Sequence, residues 1–213
     1  MGKEALVVPR KILFKGGEFQ GFLGLEKGDF VSIVMGNYSY CERGEELEHD
    51  EELKQIIPYI WIVNLETRRV FLYKRGFNAN KQDGEFREER YMHKYSGGVG
   101  GHIDRDTEEG ADDPIIQAML RELREEVDMV NYLVPKIVGY INDDSDDIGK
   151  VHFGVVSIAE TTGSVKARDE EGLSFGDFYS VEGVEKIFNS PENEVENWTR
   201  ISWPFVRDYL EKL

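Results

Sequence analysis

Arg121-Glu122-Leu123-Arg124-Glu125-Glu126 is the stretch that decides the fold of this chain. It lies in a segment from Asp113 to Val127 that reads as a helix, with Asp113 placed to cap it and Pro114 suited to the first helical position. At about 100° per residue, Glu122, Glu125 and Glu126 share a sector roughly 100° wide. Ile116, Leu120, Leu123 and Val127 form a second, apolar sector. Carboxylates crowded on one face repel one another by a few tenths of a kcal/mol per i, i+4 pair. A cation offsets that repulsion, and hard oxygen donors of this kind suit Mg²⁺ or Mn²⁺. The alternative is a solvated helix face with pairs such as Arg121–Glu125.

Just upstream lies Gly97-Gly98-Val99-Gly100-Gly101-His102-Ile103-Asp104. Four glycines in five positions permit close backbone approach and tight turning. Such a loop either turns its amides toward an anion or is an ordinary tight connection.

Loop and helix together resemble the box of the Nudix hydrolases: glycine, five residues, glutamate, seven residues, Arg-Glu-aliphatic, any residue, Glu-Glu, any residue, glycine, aliphatic. Arg121-Glu122-Leu123, then Arg124, Glu125-Glu126 and Val127 match its distal half, with Met129 at the last position. The proximal half departs from the pattern. Counting back from Arg121 places Asp113 at the glutamate and Thr107 at the glycine. If Gly101 is the box glycine, the Arg105–Ala111 region carries six extra residues, and Asp128 replaces the later glycine.

The context fits the same resemblance. Tyr59–Val63 and Val70–Arg75 read as strands joined by the polar turn Asn64–Arg69, and a strand ending in basic residues precedes the box in this family. Lys136–Ile141 and Val151–Ala159 read as further strands. Asp169-Glu170-Glu171, then Phe178–Ser180 and a short helix from Val181, is similar to the late acidic loop of Nudix domains. The resemblance spans roughly residues 55–190 and implies an α/β fold, an α/β/α sandwich around a mixed sheet with the catalytic loop and helix on one face.

A chain of 213 residues suits one domain with an extension; residues 1–55 are read as that extension and 56–213 as the Nudix-like domain. Its net charge of −16 argues against binding a nucleic-acid polymer or an anionic membrane. Cys41 is the single cysteine, which excludes an intramolecular disulfide and a cysteine-based zinc cluster within the chain. No apolar run is long enough to span a membrane, and no secretory h-region follows Met1, so a cytoplasmic location is expected.

Elsewhere, residues 4–9 are strand-like and Phe30–Met35 reads as a strand. Cys41–Glu52 is acidic and reads as a solvated loop or helix start, and Asn78–Arg90 as an exposed loop. Asp143–Asp147 fails the EF-hand spacing, with Ile148 at the required glycine and Gly154 at the final glutamate, and reads as a solvated turn. A C-terminal helix is expected from Pro204, its aromatics packing in a core or a dimer. None of His49, His93, His102 and His152 stands at metal-binding spacing from another.

The resemblance implies a hydrolase that cleaves the pyrophosphate bond of a nucleoside diphosphate linked to another moiety. Glu125 and Glu126 would bind Mg²⁺ (or Mn²⁺), with Glu122 holding a second ion or orienting water. Arg121 would position a carboxylate and the Gly101 carbonyl would complete a metal shell. Lys74, Arg75, His102 and Glu171 are candidates for contact with a phosphorylated small-molecule substrate. A homodimer is compatible with the family. Two alternatives stand beside this reading. One is a Nudix-fold binding or regulatory module without catalysis. The other is an enzyme similar to isopentenyl-diphosphate isomerases, for which Cys41 lies far upstream of the expected cysteine.

Overall fold

The computed structural model describes residues 2–75, 93–168 and 173–213. In chain order the elements are β1 (Glu4–Pro9), α1 (Arg10–Leu13), β2 (Gly21–Gly24), α2 (Phe30–Asn37), β3 (Ser39–Glu42), β4 (Leu53–Asn64), β5 (Arg69–Arg75), β6 (Tyr95–Ser96), β7 (Gly98–Val99), α3 (Arg105–Glu108), α4 (Pro114–Glu126) and β8 (Val127–Met129). They continue with β9 (Lys136–Asn142), α5 (Asp147–Val151), β10 (His152–Thr161), β11 (Val165–Ala167), β12 (Leu173–Tyr179), α6 (Val181–Asn189) and α7 (Asn197–Glu211). Ten strands form one sheet, ordered β12-β5-β4-β10-β9-β2, with β1, β3, β6 and β7 paired off that path; β8 and β11 make a separate ribbon. This is the expected α/β class with a large mixed sheet. Central strands explain the near-continuous apolar runs. All ten residues of β10 are buried, and so are ten of the twelve in β4. No described helix is long and apolar enough to cross a membrane.

The chain divides into two compact units, and β4, α4 and β10 each run through both. Residues 1–59, 100–119 and 137–157 make the first. Here β1 pairs antiparallel with β3 (Ala5↔Cys41) and with β4 (Val7↔Gln55), and β2 pairs with β9 (Phe22↔Ile141). The segment read as an extension is thus woven into the sheet of this unit, and β4 runs through its expected end at residue 55. Phe14, Phe19, Phe30, Tyr140 and Phe153 form an aromatic cluster, mostly edge-to-face, with centroid separations from 5.0 Å (Phe30–Tyr140) to 6.2 Å (Phe14–Phe19).

Residues 60–99, 120–136 and 158–213 make the second unit. β5 pairs with β4 (Val63↔Val70), with β6 and with β12. α7 buries Thr199, Ser202, Trp203, Val206 and Leu210. Trp61 lies 6.0 Å from Trp203, and its indole N–H donates to Ser202 Oγ at 3.0 Å. The C-terminal aromatics Trp203 and Phe188 are therefore packing residues of this unit.

Three expectations are corrected. Phe30–Met35 is not a strand but most of helix α2. Asp29 caps it, accepting from the Ser32 amide at 3.0 Å and the Ser32 hydroxyl at 2.7 Å, and Phe30 and Val34 are buried at i, i+4 spacing. The C-terminal helix starts at Asn197, not at Pro204, which lies inside it. The ring removes one amide donor, a cost that the buried stripe from Thr199 to Leu210 outweighs. Asp143–Asp147 is a turn, but only Ser145–Asp147 is exposed. Asp143 is buried, Asp146 caps α5, and Asp144 receives the ammonium of Lys54, which is wholly buried. The expected loop at 78–90 lies outside the described residues.

Lys54 Nζ donates to Asp144 Oδ1 (2.8 Å), the Gly149 carbonyl (2.8 Å) and the His152 carbonyl (3.3 Å), so all three of its protons are placed. Arg10 and Gln20 also donate to Asp144. Burial raises the Asp144 carboxyl, but hydrogen bonds from Lys54, Arg10 and Gln20 more than reverse this and hold it at about 2. A carboxyl depressed on folding contributes stability that is present above its unfolded value, about 4, and is lost as pH falls through its folded value. Asp144→Asn should therefore cost roughly 2–4 kcal/mol at pH 7, because it also strands a buried ammonium. In urea unfolding at a series of pH values, the gap from wild type should shrink between about pH 4 and pH 2. A pH-independent gap would contradict this account of Asp144.

Candidate active site

α4 is launched by Asp113, whose Oδ1 accepts from the Ile116 amide at 3.0 Å and whose carbonyl accepts from Gln117. The helix runs through the acidic segment to Glu126, as the spacing predicts. Its buried stripe is turned one position from the expected apolar sector. Ile115, Ala118, Met119, Glu122 and Leu123 are buried, whereas Ile116 and Leu120 are only half-buried. The i, i+3, i+4, i+7 repeat thus carries a carboxylate among its inward positions.

That carboxylate is only 7% exposed, yet it is paired. Arg121 Nη1 donates to Glu122 Oε1 at 2.7 Å and to Glu125 Oε2 at 2.9 Å, so one guanidinium holds two of the three helix acids. Their environments differ: Glu122 is buried, Glu126 half-buried and Glu125 exposed. A charged group is tolerated at a buried position when it is hydrogen-bonded and paired. Glu126 ends the helix, and its carbonyl accepts from the Arg168 amide at 2.9 Å. Asp128, which departs from the box pattern, is exposed on β8 and takes the Arg168 guanidinium at 2.5 Å. Arg168 therefore fastens the exit of the helix at two points.

The six-residue insertion before the helix also has a structural place. It holds α3, where buried Glu108 reaches back so that Oε2 accepts from the Asp104 amide and the Thr107 hydroxyl, both at 2.7 Å. Gly110, with φ of +84°, turns the chain after it.

Close packing accounts for two glycines of the loop, Gly97 and Gly100. A Cβ on Gly97 would lie 2.2 Å from the Trp61 ring, and the Gly97 and Gly98 amides donate to Thr199 Oγ1 (3.0 Å) and Ser96 Oγ (3.3 Å). Gly100 has φ of +152°, and a Cβ there would stand 1.9 Å from the Pro58 carbonyl oxygen. Gly101 is half-buried and outside regular structure.

Of the other candidates, Lys74 lies on β5 with Nζ 4.6 Å from the Tyr95 ring centroid. The backbone of Arg75 pairs with Leu173. Glu171 lies outside the described residues. His102 Nε2 is engaged, 2.8 Å from Gln55 Oε1 and 3.4 Å from His152 Nε2. No sequence spacing joins them, but His102 and His152, fifty positions apart, are brought together by the fold. With Glu48 they place three ligand atoms within 4.8 Å of one another. His152 Nδ1 lies 2.8 Å from the Ile148 carbonyl, and burial pushes its imidazole below the usual range. Cys41 lies on β3, its thiol pushed up by burial.

In chain order, the α/β fold places a glycine loop ahead of an acid-bearing helix. No family model matches the chain. The crystal structure of Tm1382, a candidate Nudix hydrolase, superposes with a TM-score of 0.77 at 26% identity, covering 97% of this chain and 99% of the other. The chain therefore shares the fold of Nudix hydrolase structures. Protein YmaB of Bacillus subtilis (strain 168) is 29% identical over 220 residues, covering 99% of this chain and 98% of its own. The structure of DR0079 from Deinococcus radiodurans shares the fold at a TM-score of 0.50 and 11% identity, covering 82% of this chain and 90% of the other.

Gly100→Ala should test the packing account of the loop. A side chain at this φ, pressed against a backbone carbonyl, should cost at least about 2 kcal/mol. In a chain this size that lowers Tm by roughly 4–8 °C. An unchanged melting temperature would show that the loop has room the structure denies it.

Proposed function

We propose that this protein is a divalent-metal-dependent hydrolase that cleaves the pyrophosphate bond of a nucleoside diphosphate linked to another moiety. The observation that carries the reading is the paired, buried Glu122 beside Glu125 and Glu126 on one helix sector. Likeness along its whole length to a candidate Nudix hydrolase supports it. The donor set fits Mg²⁺ or Mn²⁺: all three acids offer hard oxygens, and no histidine or thiol lies on this sector of α4.

Glu122, Glu125 and Glu126 would hold the metal. Such an ion offsets phosphate charge and makes a bound water more acidic. Arg121 acts as a positioning residue. By occupying one oxygen each of Glu122 and Glu125, it fixes two carboxylates whose mutual repulsion would otherwise drive them apart. Lys74 and Arg75, at the end of β5, are the candidates we assign to substrate phosphates, one rather than both because neighbours on a strand alternate in face. Glu171 is assigned to the late acidic loop as an extra ligand or base.

A panel of nucleoside diphosphate derivatives incubated with Mg²⁺ should yield nucleotide product with the wild-type chain. Glu126→Gln should lower kcat/KM at least about 10²-fold, or roughly 2.7 kcal/mol of transition-state stabilisation. Arg121→Ala should raise the Mg²⁺ concentration for half-maximal rate by about 10–100-fold, as expected on losing an outer partner of a ligand. Full activity in Glu126→Gln, or no turnover across the panel, would contradict the proposal.

A further inference from the structure

The hydrolase reading leaves one group of metal-ligating side chains unused. Glu48, His102 and His152 come from three separate segments of the first unit: the Leu47–His49 turn, the glycine loop and the start of β10. We propose that they form a second metal site, selective for Zn²⁺ or a similar transition ion and distinct in chemistry from the oxygen-only helix acids.

The geometry supports this in three ways. First, the two imidazoles meet nitrogen to nitrogen, Nε2 to Nε2, at 3.4 Å. That is long for an N–H···N hydrogen bond. It matches the separation of about 3.3 Å between two nitrogens bound at 2.0–2.1 Å to a tetrahedral Zn²⁺. Second, His152 Nδ1 donates to the Ile148 carbonyl at 2.8 Å, which fixes the tautomer and leaves the Nε2 lone pair facing His102. A ligating histidine oriented from behind by a carbonyl is the usual support of a metal site. Third, Glu48 supplies the negative charge that two neutral imidazoles lack, with all three ligand atoms within 4.8 Å of one another.

Gln55, fully buried on β4, holds His102 and Glu48 until an ion displaces it. Its Oε1 lies 2.8 Å from His102 Nε2 and its Nε2 lies 3.4 Å from Glu48 Oε1. When the ion binds, the proton on His102 moves to Nδ1, freeing Nε2 as a ligand, and the Gln55 amide turns aside. Two histidines and one carboxylate leave a fourth position for water. The positive charge of nearby Lys54 is taken up by Asp144, so it does not oppose the incoming cation at full strength. The ion would tie the glycine loop at His102 to β10 and to the Leu47–His49 turn, so its work is to hold that loop.

The test uses the full chain loaded with Co²⁺ as a spectroscopic stand-in for Zn²⁺, then desalted. About one Co²⁺ per chain should remain, with the intense visible absorption of a tetrahedral ion. It should persist in Glu122→Gln/Glu126→Gln, which separates it from the helix acids. Glu48→Ala and His102→Ala should each weaken retention at least tenfold. His152 lies in the core, so the first two variants carry the test. Zn²⁺ should raise the Tm of wild type but not that of Glu48→Ala. No retained Co²⁺, a weak six-coordinate spectrum, or retention unchanged in Glu48→Ala and His102→Ala would overturn the site. Loss of Co²⁺ only in the helix double variant would also overturn it while leaving the hydrolase reading intact.

Discussion

One guanidinium shared by two carboxylates sets the terms for this protein. Arg121 binds Glu122 on the inward side of α4 and Glu125 on the outward side. It gives buried Glu122 an opposite charge, and a buried carboxylate costs several kcal/mol when it is not paired. With it, the helix presents a fixed set of oxygens where the chain turns from α4 into β8. The remaining pieces near that corner serve the same end: Arg168 holds the helix exit, and Asp128 replaces a turn glycine by pairing with Arg168. Two of the departures from the box are thus absorbed locally. The insertion folds into its own helical turn around Glu108, and the altered exit becomes a strand.

A buried charge is also paired in the first unit. Lys54 is wholly buried and gives its three protons to Asp144, Gly149 and His152. Net charge alone conceals this. A chain at −16 looks like one whose acids lie on the surface, yet Asp143, Glu108, Glu122, Glu160 and Glu196 are all buried. Glu160 is matched by Lys136 at 3.2 Å and by the Tyr209 hydroxyl, whose own ionisation is pushed up to about 12, first by burial and then by this bond.

What the sequence made legible was whatever depends on neighbours in the chain. The helix from Pro114, the strands at 4–9, 59–63, 70–75 and 136–141, and the box itself are local patterns, and they fold as their spacing indicates. Two local signals were present but outweighed. The Asp29-x-x-Ser32 cap marks α2 as helix, but its β-branched run reads as strand. Pro204 reads as a helix start, but the buried stripe beginning at Thr199 carries the helix through it. The long-range arrangements could not be read at all. No spacing rule joins Lys54 to Asp144 across ninety positions or His102 to His152 across fifty, because the paired order of β1, β4, β10 and β9 brings them together.

The central claim is that the acids of α4 hold a divalent ion, and Mn²⁺ binding followed by electron paramagnetic resonance tests it without needing a substrate. The account predicts that wild type removes free Mn²⁺ signal as the ion binds. Neutralising Glu122, Glu125 and Glu126 together should abolish that binding, whereas Glu48→Ala leaves it in place. Mn²⁺ binding of undiminished strength in the triple variant would contradict it.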